Sequence, residues 1–461
     1  MTETAAIILA AGQGKRLRSA TSKLLHMLAG KRVIDYTIAL VRGLNCSKII
    51  VVVPPGETNP VTAYLRAAHP DILLAVQAEP KGTGDAVAAT RKLLKSFTGD
   101  SLILCGDAPL LTPDSLKRFY KSHLKSDADF SLLTCIPDDP TGYGRIIRDA
   151  DGAFADIIEE KDATARERTL REVNGGIYWT KTAPLFKALG KVTPRNRQGE
   201  YYLTDVPKIF KKNRPIHTWC IADAGDLQGI NTRQDLAQAH RILYNRIRSH
   251  WMDRGVTLVD PATIYIEPDV TLSADCIIEP QCHLRGTTSI GAATHVSTGA
   301  VIENATIGAT VSILPYCVIR DSKLDDNTQV GPFAHLRPQT HLKKGAKVGN
   351  FVEIKKTTLN EGAKASHLTY LGDATIGKNA NIGAGTITCN YDGVNKWTTE
   401  IGDGAFIGSN TALVAPIVIG SHAVVGAGST LTKPVPDGAL GVSRAPQTIV
   451  NNWTLNKREK R

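Results

Sequence analysis

The chemistry-bearing residues of this chain begin at its ninth position. Leu9-Ala10-Ala11-Gly12-Gln13-Gly14-Lys15-Arg16 follows directly on an apolar run that reads as a strand. Two glycines let the backbone approach a ligand closely and aim N–H groups at phosphate. Arg16 and, further along, Lys23 are placed to neutralise a triphosphate. A lone Gly-x-Gly is also a common turn, and the Gly-Lys-Ser/Thr ending of a P-loop is absent. Leu104-Cys105-Gly106-Asp107-Ala108-Pro109-Leu110 ends another strand with an acid at its carboxyl tip. Asp107 serves equally well as an oxygen ligand for Mg²⁺ or as the cap of a helix after Pro109.

A second set of chemical residues emerges from a change of period. Val318, Leu324, Val330, Leu336, Leu342, Val348 and Ile354 are spaced by six, as are Ile401, Ile407, Leu413, Ile419, Val425 and Leu431. A shorter tract runs through Leu284, Ile290, Val296 and Ile302. Neither a helix nor a flat strand has this period, whereas a β-helix with one short strand and one turn per hexad does. Three faces per coil give about 18 residues per coil, so 257–435 holds roughly ten coils. The run breaks between Ile354 and Ile376 and again between Ile382 and Ile401, separations that are not multiples of six. Insertions in a repeat become loops on one face, often the binding face. The two breaks contain His367, Tyr370, Asn390 and Tyr391, polar residues with no packing duty in a repeat.

The elements that must position these residues fall into two halves. From about 5 to 230, apolar runs (Ala5–Leu9, Lys48–Val53, Ile72–Gln77, Ser101–Cys105, Phe130–Cys135) alternate with helical spacing over 33–43, 84–97 and 113–124. That alternation predicts a mostly parallel sheet covered by helices, with ligands at the carboxyl ends of the strands. Residues 232–253 read as a linking helix, capped by Asn231-Thr232 and stopped by Gly255. The expected division is therefore 1–231, a linker helix over 232–254, and a repeat domain over 255–461.

Length and composition agree with this plan. A chain of 461 residues exceeds one typical core. The formal charge of +11 suits small phosphorylated substrates and coenzymes. The basic residues are scattered apart from the tail Lys457-Arg458-Glu459-Lys460-Arg461, and no aromatic-plus-basic signature accompanies them, so nucleic acid is not the expected partner. Eight cysteines show no CxxC pair, and the spacing of Cys276 and Cys282 by one hexad fits the repeat better than a metal site. The run Ala5–Ala11 is too short for a membrane span and follows no basic leader, which predicts a soluble, unprocessed cytoplasmic protein with reduced thiols.

Taken together, the motifs carry a resemblance. The glycine segment, Gln77-(x)₄-Gly82-Thr83, Leu104–Leu110, Gly142-Tyr143-Gly144-Arg145, Glu159-Glu160-Lys161-Asp162, Asn174-Gly175-Gly176 and Gly229-Ile230-Asn231 come in one order. They are followed by Phe333–Pro338, Gly349–Lys356, Ser366–Asp373 and Asn381–Gly393. From about residue 5 to about 447 the set resembles the bacterial bifunctional N-acetylglucosamine-1-phosphate uridyltransferase / glucosamine-1-phosphate N-acetyltransferases. The resemblance implies an α/β Rossmann-like nucleotidyltransferase domain followed by a left-handed parallel β-helix of hexapeptide repeats. It implies that Gln77, Gly82 and Thr83 contact uracil, with Leu9 and Gly12 also against the substrate. Gly144, Glu159 and Asn174 would hold the sugar, Asp107 and Asn231 would bind Mg²⁺, and Lys23 and Arg16 would act on the phosphates. In the second half it implies His367 as general base. Arg337 and Lys355 would bind the sugar phosphate, Tyr370, Asn381 and Asn390 would order the substrate and the tetrahedral intermediate, and Tyr391 would also bind substrate. Ala384, Ser409, Ala427 and Arg444 would meet acetyl-CoA. The substrates implied are UTP, glucosamine-1-phosphate, N-acetylglucosamine-1-phosphate and acetyl-CoA, in a homotrimer sharing coenzyme sites.

Three positions depart from the family pattern: Ser22 in place of Pro, Lys15 in place of a small Thr or Ser, and Cys105 in place of an aromatic. The competing reading is a single-activity sugar-1-phosphate nucleotidylyltransferase whose β-helix only oligomerises. Such enzymes lack the His367/Asn390/Tyr391 segments.

Overall fold

A computed structural model describes residues 3–12, 14–212 and 214–454. Gln13 of the glycine segment and the tail Lys457–Arg461 lie outside the described residues, as does the side chain of Lys15. The chain divides into two compact units, Met1–Leu243 and Tyr244–Arg461, with the boundary inside the helix Arg233–Met252.

In the first unit, strands Thr4–Leu9, Lys48–Val53, Leu73–Val76, Asp100–Cys105, Phe130–Cys135, Val173–Lys181 and His217–Cys220 form the path of one sheet. Thr4–Leu9 pairs in parallel with both Lys48–Val53 and Asp100–Cys105. Val173–Lys181 alone runs antiparallel on this path, between Asp100–Cys105 and Phe130–Cys135. Ala5 to Ile8 and Ile50 to Val53 are fully buried, as a strand covered by helices on both faces requires. Parallel pairing sends Leu9, Val53, Val76 and Cys105 to the same edge, so the loops after these strands converge. The segment expected to be helical over 84–97 is helical only at Thr83–Ala88. The Thr90 hydroxyl then donates to the Val87 carbonyl at 2.7 Å and the backbone tightens into three-residue turns.

In the second unit, short strands, mostly of two or three residues, stack coil on coil in parallel. Ile266, Leu284, Ile302, Ile319, Leu336, Ile354 and Leu371 form one inward column, each without solvent exposure. This corrects the strict period of six. Ile319, not Val318, points inward, and Val318 is half-buried. The inward steps Ile302–Ile307, Ile319–Leu324, Ile354–Leu359 and Leu371–Ile376 each fall one position short of a hexad, so the coils differ in length. Over five successive coils one corner passes through left-handed backbone, at Asn304, Asp321, Gln339, Lys356 and Asp373.

The same stacking corrects the first apparent interruption. Ile354, Leu359, Ala365, Leu371 and Ile376 are all fully buried, so the coil runs on without an insertion. His367 ends a regular strand, Lys364–His367, just before a left-handed corner at Leu368. The second interruption is real: Ile376 pairs with Ile401 on the next coil, and the surplus chain between them forms a loop from Cys389 to Thr399. Cys276, Cys282 and Cys317 are buried inside the coils, and all eight cysteines are free.

The register makes a mutational prediction. Ile319→Ala should cost about 2–5 kcal/mol, the range for emptying a buried aliphatic site. Val318→Ala should cost less than about 1 kcal/mol. Urea unfolding midpoints of the two variants decide the order, and a larger loss at Val318 would contradict the register.

Candidate functional sites

At the shared edge of the first unit's sheet lies a cavity of about 300 Å³ lined by Leu9, Gly12, Lys23, Gln77, Gly82, Thr83 and Asp107, among others. All seven are residues singled out by sequence. Gly82 has φ of 108°, and a Cβ there would stand 2.6 Å from the Tyr201 carbonyl oxygen, so no other residue fits. Gln77 turns its amide group inward, donating to the Gly82 carbonyl at 3.0 Å and to Asp85 at 2.9 Å. Thr83 accepts from the Leu203 N–H at 3.0 Å. Arg16 is exposed on the loop after the glycines and does not line the cavity.

Lys23 is ion-paired with Asp107, and its ammonium also reaches the Asn231 amide oxygen at 3.4 Å. The two expected metal ligands thus already converge on one cation. A carboxylate and an amide oxygen suit a hard dication that takes its remaining ligands from water and phosphate, as Mg²⁺ does. Among the described residues no group of three or more His, Cys, Asp or Glu gathers for a metal. Ser22 has φ of −54°, the backbone angle proline prefers, so its departure from the family pattern leaves the loop's path intact. Burial pushes the Cys105 thiol up to about 12, making it an inert wall of the cavity.

Gly144, Glu159 and Asn174 form a neighbouring group. A Cβ at Gly144 would lie 3.0 Å from Ile157 and 3.6 Å from the Glu159 carboxyl, while the Gly144 carbonyl accepts from the Asn174 N–H at 2.9 Å. The Asn174 amide donates to the Tyr178 hydroxyl at 2.7 Å. Burial raises the Glu159 carboxyl above its ordinary range, partly offset by a 2.9 Å bond from the Thr204 hydroxyl. Sequence reasoning missed the segment Glu200–Thr204 that joins the groups: Glu200 lines the cavity, Tyr201 exchanges backbone bonds with Lys81 and Gly84, and Thr204 holds Glu159. Its signal was available as a Tyr201-Tyr202 pair in a chain with 6% aromatics.

In the second unit, His367 is paired in register with Asn350 on the preceding coil, and its Nδ1 lies 2.7 Å from the Asn350 Oδ1. An amide oxygen only accepts, so Nδ1 carries a proton and donates to it, which leaves Nε2 outside this bond. Arg337 pairs with Glu353 at 2.7 Å, and Glu353 is in register with Tyr370. Lys396 of the inserted loop lies against Lys355 and, with Arg337, holds the Lys355 ammonium below its ordinary range. Lys355 and Lys396, with Arg337 nearby, thus gather positive charge on this face of the coil. Lys396 escaped the sequence reading because only the loop's fold returns it to Lys355. Asn390 donates to Asp373 at 2.6 Å, and a Cβ at Gly372 would meet both the Tyr370 hydroxyl and the Asn390 amide. Tyr391 is exposed, its hydroxyl donating to the Gly393 carbonyl at 2.5 Å. Asn381 stands in register with Lys364 and Phe406, with no side-chain bond to the others.

Ala384, Ser409 and Ala427 follow the stacked positions Ile382, Ile407 and Val425 at the same offset, so they form one column over three coils. Arg444 joins it by donating to the Ala427 carbonyl at 2.8 Å.

Known proteins share this arrangement. The nucleotidyl transferase family matches residues 5–256, and the bacterial transferase hexapeptide family matches 398–433. Proteins named bifunctional protein GlmU match end to end. Those of Pelobacter propionicus and Pelotomaculum thermopropionicum are 44% and 45% identical over the whole of both chains. That of Heliobacterium modesticaldum is 44% identical over 99% of each. The chain belongs to the GlmU family.

In this GlmU-family chain, a dication approaching Asp107 and Asn231 must displace the Lys23 ammonium. Lys23→Met should therefore bind Mn²⁺ roughly tenfold more tightly in the absence of nucleotide, a change of about 1.4 kcal/mol. Electron paramagnetic resonance of free Mn²⁺ measures it, and unchanged affinity would show that the ammonium does not compete.

Proposed function

We propose that this protein makes UDP-N-acetylglucosamine in two steps at two separate sites. Its second unit acetylates glucosamine-1-phosphate from acetyl-CoA, and its first unit transfers uridylyl from UTP to the N-acetylglucosamine-1-phosphate produced, releasing pyrophosphate. The observation that carries this reading is the enlarged coil after Ile376, which brings Lys396 to Lys355 and Arg337 on the repeat that also bears Asn390. A β-helix serving only for oligomerisation needs no such cluster, and this counts against the single-activity reading.

In the first site, a phosphate monoester is already ionised near neutral pH, so uridylyl transfer needs no protein base. The sugar phosphate oxygen attacks the α-phosphorus in line, and positioning with charge neutralisation carries the step. Gln77, Gly82 and Thr83, with Leu9 and Gly12, hold the base and ribose end. Gly144, Glu159 and Asn174 hold the sugar, and Lys23 and Arg16 meet the phosphates. Asp107 and Asn231 would hold Mg²⁺, which supplies charge neutralisation at the phosphates.

In the second site, Arg337, Lys355 and Lys396 anchor the sugar phosphate. His367 Nε2, oriented by Asn350, takes a proton as the amine nitrogen bonds to the thioester carbonyl carbon. The carbon–sulfur bond then breaks and the coenzyme leaves as the thiol, carrying that proton. Tyr370, Asn381, Asn390 and Tyr391 order the sugar, and the column Ala384, Ser409, Ala427 and Arg444 receives acetyl-CoA.

A homotrimer is supported by an apolar ladder beside His367. Tyr316, Phe333 and Phe351 stack at 5.3 and 5.4 Å between ring centres, about half exposed, and Leu368, 62% exposed, extends the same corner. A neighbouring subunit covering it would also enclose His367. No helix among the described residues is long and apolar enough to cross a membrane. We place the enzyme in the cytoplasm, acting on small-molecule substrates.

The test is a coupled assay with glucosamine-1-phosphate, acetyl-CoA, UTP and Mg²⁺, following free thiol and pyrophosphate separately. Both should appear, with pyrophosphate depending on prior acetylation. Pyrophosphate without thiol would return the β-helix to a scaffold.

A further inference from the structure

Lys356, Asp373 and Asn390 occupy one corner of three successive coils. Lys356 and Asp373 turn this corner in left-handed backbone, with φ of 47° and 49°. Their side chains form a ladder: Lys356 Nζ lies 3.2 Å from one Asp373 carboxylate oxygen, and Asn390 Nδ2 donates to the other at 2.6 Å. Asp373 is 4% exposed and Asn390 is 7% exposed, so neither has bulk water as an alternative partner. The Lys356 cation balances the buried carboxylate from the solvent side.

This ladder decides which end of the Asn390 amide faces the site. A carboxylate is an acceptor only, so the NH₂ end must face Asp373; the reverse orientation would oppose two oxygens at hydrogen-bond distance. The amide oxygen makes no side-chain bond among the described residues and remains for a ligand. We propose that Asp373 is a positioning residue that fixes Asn390 as a hydrogen-bond acceptor, directed at an N–H of the incoming amine and not at the oxyanion of the tetrahedral intermediate. The assignment rests on the acetyl-transfer reading above. It gives Asp373, which touches no substrate, a specificity role: it makes the site demand a donor at the sugar's second carbon.

The experiment compares calorimetric affinities of the full-length protein for glucosamine-1-phosphate and for 2-deoxyglucose-1-phosphate, which lacks that donor. Wild type should prefer the amino sugar, and Asp373→Asn should lose about tenfold of that preference with affinity for the deoxy sugar unchanged. Unaltered uridylyl transfer in the first unit and an unchanged unfolding midpoint show that the variant is folded. The double variant Asp373→Asn/Asn390→Asp exchanges donor and acceptor within the pair, keeps an acceptor toward the site, and should regain the preference. An Asp373→Asn variant that keeps the preference, or weakens both sugars equally, overturns the proposal. Wild type binding neither sugar would overturn the acetyl-transfer reading itself.

Discussion

Parallel strand pairing is the constraint on which both halves of this molecule depend. In the first unit it sends the carboxyl ends of Thr4–Leu9, Lys48–Val53, Leu73–Val76 and Asp100–Cys105 to one edge, where residues far apart in sequence meet. Lys23, Asp107 and Asn231 share one cluster only because of that edge. In the second unit the same pairing, repeated once per coil, places each side chain above its counterpart on the coil before. Asn350 under His367 and Asp373 under Asn390 are consequences of that stacking.

A stack of equal coils presents equal surfaces, so function requires a local change in it. The change is the enlarged coil from Ile376 to Ile401, whose loop folds Lys396 back toward Lys355. The loop is self-supporting. Asp392 accepts from the Val394 and Asn395 N–H groups and from the Trp397 ring N–H at 2.6–2.8 Å. The approach of Lys396 to Lys355 concentrates positive charge beside this loop. The Lys23–Asp107 pair is the corresponding feature of the first unit, where a protein cation meets groups suited to hold another.

The sequence was most legible where side chains point to a fixed interior or where glycines mark close approaches. Five strands of the first unit, the linking helix and the repeat were visible in this way, whereas Arg145–Arg148, Phe154–Ile158, Val173–Lys181 and His217–Cys220 were not read as strands. Legibility failed where one period was taken as strict. The shortened steps at Ile302–Ile307 and Ile319–Leu324 shifted the inward position from Val318 to Ile319. Small or polar inward residues such as Ala365 and Thr388 hid the continuity of the coils. His367 was therefore singled out beside an insertion that does not exist, although its polarity at an outward corner was a sound signal. Partners such as Thr204, Asn350, Asp373 and Lys396 could not be read off, because each acts on a residue distant in sequence through register or loop closure.

The central claim is that two independent sites on two units perform two reactions. It is tested most directly by assaying His367→Ala and Asp107→Ala side by side for thiol release from acetyl-CoA with glucosamine-1-phosphate and for pyrophosphate release from UTP with N-acetylglucosamine-1-phosphate. His367→Ala should lose acetyl transfer by about 10²–10⁴-fold, the usual contribution of a general base, and keep uridylyl transfer. Asp107→Ala should show the reverse. Comparable loss of both activities in either folded variant would contradict the account.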